Sequence, residues 1–202
     1  MTITISGTSG VTFPAGGVDN VAGAGVGTTD TQTLTNKTLG SGLVMGVSVI
    51  TAGTAVASTS GTSITFTSIP SWVKRITLML TGVSTNGTSN PQIQVGSGSV
   101  TTTGYICVGS VIGSLTVASG SYTTGFCTRG NQAVNALNGN FVLTNITGNT
   151  WTGTGFFANT VVPETLYTSG AIVLSGVLDR IVLTTVNGTD TFDAGSINIL
   201  YE

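Results

Sequence analysis

Apolar and small polar side chains alternate along most of this 202-residue chain, from about residue 46 to its end. The alternation is clearest near the end, where Ile197, Ile199 and Tyr201 are two residues apart. Side chains at this spacing share a face in an extended strand, so each such segment predicts a β-strand. The predicted strands cover residues 46–51, 63–67, 75–80, 92–95, 105–108, 114–117, 124–128, 139–144, 150–156, 171–174, 180–186 and 195–201.

Pairs of Asn and Gly separate several of these segments. Asn-Gly is the preferred pair for the two central residues of a type I′ hairpin turn. Many short strands with such turns between them predict an all-β fold, an antiparallel jelly-roll-like β-sandwich. The pairs are Asn86-Gly87, Asn138-Gly139, Gly148-Asn149 and Asn187-Gly188.

Residues 1–45 have a different pattern from the rest. Gly, Thr and Ser dominate there, and bulky apolar residues are widely spaced. Such a segment has too little apolar surface to form a core of its own, so it must dock on something or wrap with copies of itself. We therefore divide the chain into an extended N-terminal arm, which serves for anchoring or oligomerisation, over residues 1–45 and a jelly-roll-like domain over residues 46–202.

Charge is scarce along the whole chain. Asp, Glu, Lys and Arg make up 6% of the residues, against about 25% in a typical globular protein. Low charge with much Gly, Ser and Thr is also found in disordered chains, but the dense Ile, Val, Leu and Phe content beyond residue 45 argues against disorder there. Because surface charge keeps protein molecules apart, a chain with 5 basic and 7 acidic residues is expected to bury surface against other subunits.

The same composition excludes several partners. There is no basic patch, so we expect no nucleic acid partner. No apolar run reaches the ~20 residues of a membrane-spanning helix, so no membrane insertion is expected. Residues 1–5 lack the basic segment of a secretory signal, and we expect assembly in a cytoplasm.

Three segments resemble a family of bacteriophage proteins. Residues 31–39 read TQTLTNKTL and are similar to a segment that recurs in phage tail fibres and related virion proteins. Residues 69–90 and 174–202 resemble a C-terminal module of fibre-type phage and prophage proteins. The resemblance implies a virion protein that is a homotrimer. It also implies attachment to other virion proteins through the arm, with the candidate anchor residues Leu34, Asn36, Lys37 and Leu39.

Catalytic chemistry has little support in the sequence. The chain contains no His, which excludes Ser-His-Asp and Cys-His arrangements and His-based metal sites. Cys107 and Cys127 are interpreted as two buried thiols in neighbouring strands, since a reducing compartment disfavours a disulfide. Asp190 and Asp193 could bind calcium, but turn capping is the favoured interpretation. We predict no enzymatic activity, no metal and no cofactor.

Carbohydrate binding is the chemistry that the sequence leaves open. Exposed aromatic rings stack on sugars, and the candidates are Tyr105, Tyr122, Trp151 and Tyr167. Tyr167 falls in residues 164–167, which follow Pro163 and are predicted to form an exposed loop. The alternative for all four side chains is packing in the core or at a subunit interface.

Two functions are consistent with these observations. In the first, the chain is a short fibre or spike subunit attached through its arm, and its trimeric sandwich binds host surface polysaccharide. In the second, it is a capsid decoration, head-fibre or collar protein with a purely structural role. The family's long fibre shaft is missing, which favours the small members of the family.

Overall fold

The computed structural model describes residues 50–113 and 117–202, and the arm and its four candidate anchor residues lie outside these ranges. The described residues form strands and no helix, and every strand pairing among them is antiparallel. The strands are β1 Thr51–Ala52, β2 Val56–Ala57, β3 Ser63–Phe66, β4 Arg75–Thr85, β5 Pro91–Ser97, β6 Ser99–Val100, β7 Ile106–Gly113, β8 Val117–Tyr122, β9 Phe126–Cys127, β10 Leu137–Thr147, β11 Thr150–Asn159, β12 Glu164–Val173, β13 Arg180–Thr185 and β14 Phe192–Tyr201.

The strands form two sheets. The large sheet has the order β1-β14-β4-β10-β11-β12-β7-β8, and β2 also pairs with β14. The small sheet has the order β3-β13-β5-β6, and β9 also pairs with β5. Eight connections between consecutive strands change sheet: β2–β3, β3–β4, β4–β5, β6–β7, β8–β9, β9–β10, β12–β13 and β13–β14. Strands that are consecutive in sequence therefore often face each other across the core.

This order is a jelly roll with additions. Strands β3, β13, β5 and β9 form one half, and β4, β10, β7 and β8 form the other. In the second half the hairpin of β11 and β12 is inserted between β10 and β7, and β14 extends the sheet beyond β4. The predicted all-β, antiparallel, jelly-roll-like sandwich is confirmed, and the insertion makes one sheet much wider than the other.

One hydrophobic core lies between the sheets. In β4 the buried side chains alternate with outward ones, so that Ile76 and Leu78 point inward. Phe126 of β9 and Phe141 of β10 meet across the sandwich, with ring centroids 5.1 Å apart. Both rings are fully buried, so the two outer faces of the sandwich depend on the same core.

The Asn and Gly pairs serve three different purposes. Gly148-Asn149 closes the hairpin between β10 and β11, as predicted. The pair at 86–87 and the pair at 187–188 instead join strands of different sheets, so their prediction as hairpin turns was wrong. Asn138-Gly139 is inside β10, where Gly139 has a φ of 150° and a Cβ would meet the Phe156 carbonyl oxygen at 2.2 Å. Three of the four pairs thus lie at connections between strands, but the pair does not determine which strands are joined, and Asn138-Gly139 marks no connection.

Several strands are longer than their apolar pattern suggested. The predicted strand at 171–174 is the end of β12, which starts at Glu164. The predicted exposed loop at 164–167 is therefore wrong. Pairing with β11 and β7 on both sides supplies the backbone hydrogen bonds that keep this Ser- and Gly-containing segment extended.

Candidate functional site

Tyr105 is a core residue. Its side chain is buried, and its ring meets Phe126 edge to face at a centroid distance of 5.2 Å. The phenol oxygen accepts a hydrogen bond from the Val95 amide at 2.8 Å and donates to the Thr101 carbonyl at 3.0 Å. Burial raises the pKa of Tyr105 to about 12. The ring therefore joins the core of the sandwich and offers no face to a sugar.

Trp151 is also buried, although it directly follows a turn. It lies opposite Ile172 in the pairing of β11 with β12. Its indole Nε1 has no hydrogen-bond partner among the described residues. For Tyr105 and Trp151 the structure thus favours the packing interpretation over sugar stacking.

Tyr122 and Tyr167 reach the surface at separate places. Tyr122 is half-buried at the end of β8, and its phenol oxygen accepts from Asn90 Nδ2 at 3.3 Å. It lines an open cleft of about 400 Å³ together with Tyr105 and the exposed Ile106. Tyr167 is exposed on the large sheet, edge-on to Phe156 at a centroid distance of 4.7 Å. The four predicted aromatic residues therefore do not form one site.

Asp190 and Asp193 have different contacts. Asp190 accepts hydrogen bonds from the Ser89 amide at 2.9 Å and from Asn187 Nδ2 at 2.6 Å. Asp193 lies in β14 and accepts one from the hydroxyl of Ser84 in the neighbouring β4. Within residues 50–113 and 117–202, no group of three His, Cys, Asp or Glu side chains could hold a metal ion. These contacts favour turn capping for Asp190, whereas Asp193 makes a contact between strands and caps no turn.

The two cysteines are free and buried, as predicted. Cys107 lies on β7 of the large sheet and Cys127 on β9 of the small sheet. The Cys127 amide donates a hydrogen bond to Cys107 Sγ at 3.4 Å. Burial, reinforced by the neighbouring Cys107, raises the pKa of the Cys127 thiol to about 12. Such a thiol is a packing residue and a poor nucleophile.

The outer face of the large sheet is a broad uncharged surface. Two rows of outward side chains cross it, and the strand registers define their members. The first row is Ser121, Val108, Ser169, Thr154, Val142, Thr77, Leu200 and Ala52. The second is Ser119, Ser110, Tyr167, Phe156, Asn140, Met79 and Asn198.

These two rows, which we call the large face, contain no charged side chain. Val108, Phe156 and Tyr167 are exposed apolar members of it. Arg75 and Glu202, on the same side of the sheet, pair with each other at 3.1 Å at the start of β4. The sequence did not predict this surface. The alternation of apolar and polar residues defines which side chains of a strand point outward, but it does not define the order in which the strands lie side by side.

The outer side of the small sheet carries amides and hydroxyls. On β5, Ile93 and Val95 are in the core, while Gln92 and Gln94 alternate with them on the other side. An open cleft of about 280 Å³ lies over this side. We call it the amide cleft, and it is lined by Gln92, Gln94, Thr102, Thr124, Thr184, Thr185, Val186, Asn187 and Gly188.

The described residues contain no helix long and apolar enough to span a bilayer. Comparisons of the chain with protein-family models, with curated proteins and with solved structures find no match. The function of this protein therefore has to be inferred from its own residues.

Proposed function

We propose that this protein is a non-enzymatic structural subunit of a bacteriophage particle, a short fibre or spike that works as a homotrimer. Residues 1–45 attach it to other virion proteins, and the sandwich is exposed to the host surface, where it binds glycans. The observation that carries the proposal is the large face, an uncharged surface in a folded domain. Its exposed apolar side chains, above all Phe156 and Tyr167, which touch each other, are typical of a surface that contacts another protein.

The large face is large enough to form the centre of a subunit interface. Eight strands lie side by side in the large sheet. At a spacing of about 4.8 Å between strands, and with two rows that each take up about 6.8 Å along the strand, the large face covers on the order of 500 Å². A standard protein interface covers about 800 Å² of each partner. A second copy of this chain is the proposed partner. In a trimer the large face of one copy meets a different surface of the next copy, and burying the large face desolvates no charge of its own.

Residues 69–90 and 174–202, which resemble one module of phage proteins, lie side by side in the structure. Residues 69–90 include all of β4, and residues 174–202 include β13 and β14. Strands β4 and β14 are neighbours in the large sheet, paired from Thr85 and Phe192 to Ile76 and Tyr201. The two segments that resemble the phage family thus lie together in space. Jelly rolls also occur in viral capsid and lectin domains, which is an argument by analogy of fold alone.

The test of the proposal is the mass of the purified full-length protein in solution. We expect a trimer by multi-angle light scattering. The double variant Val142→Lys/Thr154→Lys places two charges at opposed positions of β10 and β11 in the middle of the large face, and it should be a folded monomer. Ser60→Lys, on the exposed connection between β2 and β3, is the matched control and should remain trimeric. A monomeric wild-type protein would reject the proposal.

Attachment through the arm needs a separate experiment on particles. We expect that a chain lacking residues 1–45 still folds but no longer enters the virion. Normal incorporation of the shortened chain would contradict the anchor assignment to Leu34, Asn36, Lys37 and Leu39.

A capsid decoration, head-fibre or collar subunit is the alternative within the same class. It shares the large face and the arm and differs in needing no ligand. Loss of host-cell attachment by particles that carry subunits without glycan binding would favour the fibre. Normal attachment of such particles would favour the decoration protein.

A further inference from the structure

The amide cleft is built around two glutamines that are almost fully buried. Gln92 and Gln94 expose 4% and 7% of their surface. Long amide side chains are seldom buried unless hydrogen bonds hold them. Their positions on the outer side of β5 mean that they do not serve the core. Their burial instead places polar groups at the floor of a cleft that opens to solvent.

The amide of Gln92 is hydrogen-bonded within the protein at both its nitrogen and its oxygen. Its Nε2 donates to the Thr185 carbonyl at 3.3 Å, and its Oε1 accepts from the Thr124 hydroxyl at 2.9 Å. Both ends of this amide are therefore fixed. Gln92 therefore forms a rigid part of the lining of the amide cleft.

The amide of Gln94 is engaged at one end only. Its Nε2 donates to the Thr124 carbonyl at 2.8 Å, which fixes the orientation of the group. Its Oε1 accepts no hydrogen bond from any residue in the described ranges. A strong acceptor is thus held in place on a side chain that lines the cleft. Such a preorganised acceptor suits a ligand hydroxyl or amide.

The rest of the lining is neutral. Thr102 is exposed at the rim, and the hydroxyl of Thr184, which donates to the Thr62 carbonyl at 2.9 Å, retains acceptor capacity. Val186 adds an exposed apolar patch. None of the lining residues is charged, so the lining offers no opposite charge to a charged ligand. None is aromatic, so a flat aromatic ligand has no stacking partner.

We propose that the amide cleft binds one neutral hexose unit of a polysaccharide, with Gln94 Oε1 accepting a hydrogen bond from a sugar hydroxyl. Hexoses present hydroxyls that donate and accept, together with a small apolar C–H face, which matches hydroxyls, amides and one valine. The volume of about 280 Å³ lies just below the ~300–1,000 Å³ of ordinary ligand pockets, which suits a single ring. This inference rests on the glycan-binding part of the proposed function and gives it a location other than the predicted aromatic residues.

The test uses the full-length protein and saturation-transfer NMR with defined oligosaccharides. The neutral probes are oligosaccharides of glucose, galactose and mannose, and the acidic probe is a uronic acid oligosaccharide of equal length. We expect transfer to at least one neutral probe and none to the acidic probe. No transfer to any neutral probe, or a preference for the acidic one, would overturn the proposal.

Substitutions then locate the binding. Gln94→Leu removes the fixed acceptor at similar size, and we expect about tenfold weaker binding, the loss of one good hydrogen bond. Thr102→Val changes only an exposed rim hydroxyl, so it leaves the fold intact and should weaken binding about threefold. Thr59→Val, which changes an exposed hydroxyl on the connection between β2 and β3, is the matched control and should leave affinity unchanged. Unchanged affinity in both cleft variants would overturn the assignment.

The mass of the protein in solution, measured together with its sugar binding, distinguishes a failure of this inference from a failure of the proposed function. A trimer that binds no neutral sugar would reject the amide cleft and leave the structural role intact. A monomer that still binds through Gln94 would reject the homotrimer and keep the cleft.

Discussion

The two outer surfaces of this sandwich have opposite character although they share one core. The large face is broad and presents Val, Thr, Ser and two aromatic rings without charge. The small sheet is narrower and presents buried amides beneath an open cleft. Flat uncharged surfaces suit contact with another protein, and concave polar ones suit small ligands. This difference is the reason why we propose assembly through one sheet and recognition through the other.

The largest effect is expected where both surfaces depend on the same residue. Phe141 is fully buried and packs on Phe126 of the opposite sheet. Phe141→Ala should lower the free energy of unfolding by about 3–5 kcal/mol, through lost burial and the cavity left behind. Chemical denaturation measures this loss. A loss below about 1 kcal/mol would contradict a common core.

A smaller effect is expected on the large face alone. Phe156 is half exposed and touches Tyr167. In the monomeric background of Val142→Lys/Thr154→Lys, Phe156→Ala should change the free energy of unfolding by about 1 kcal/mol or less. In the otherwise wild-type protein the same change should weaken trimer assembly, because an interface aromatic is lost. Sedimentation at a series of concentrations measures assembly, and an unchanged dissociation constant would remove Phe156 from the interface.

The smallest effect is a pH dependence confined to the small-sheet side. A hydrogen bond from Arg180 at 2.7 Å, with a further one from the Gly98 amide, lowers the pKa of Asp179. An acid with a lowered folded pKa stabilises the fold above its unfolded value, near 3.9, and that stability is lost as the pH falls through the folded value. Because the pair is partly exposed, solvent screens the interaction and its contribution to stability is small.

Asp179→Asn isolates this contribution. The variant should be slightly less stable than the wild type at pH 7 and should approach it in stability below about pH 4. Denaturation midpoints at pH 7 and pH 3 measure the difference. A difference in stability between the two proteins that grows toward pH 3 would contradict this prediction.

Much of the fold follows from the sequence, and the reason is the alternation of side chains. Ile197 and Ile199, predicted to share a face, are both in the core. The division between sheets could not be predicted, since a strand pattern defines which side chains point inward but not which strand lies beside it. The turn at 187–188 illustrates this: its Asn-Gly pair joins two sheets, whereas Gly148-Asn149 closes a hairpin.

The candidate sites were harder to predict than the fold. Trp151 follows a turn and was a candidate for exposure, yet tertiary packing buries it. Gln94 carries no sequence signal as a ligand residue, because its side chain is fixed by the carbonyl of Thr124, which is distant in sequence. Only the arrangement of loops over the small sheet shows that its carbonyl oxygen is fixed and available.

The most direct test of the central claim is side-chain footprinting of the assembled protein with hydroxyl radicals. Tyr167 and Phe156 are exposed in the single subunit, as is Trp72, which belongs to neither row of the large face. The account predicts that labelling of Tyr167 and Phe156 is low in the wild-type protein and rises several-fold in Val142→Lys/Thr154→Lys, while labelling of Trp72 stays constant. Equal labelling of Tyr167 and Phe156 in the two proteins would contradict a large face covered by another copy of the chain.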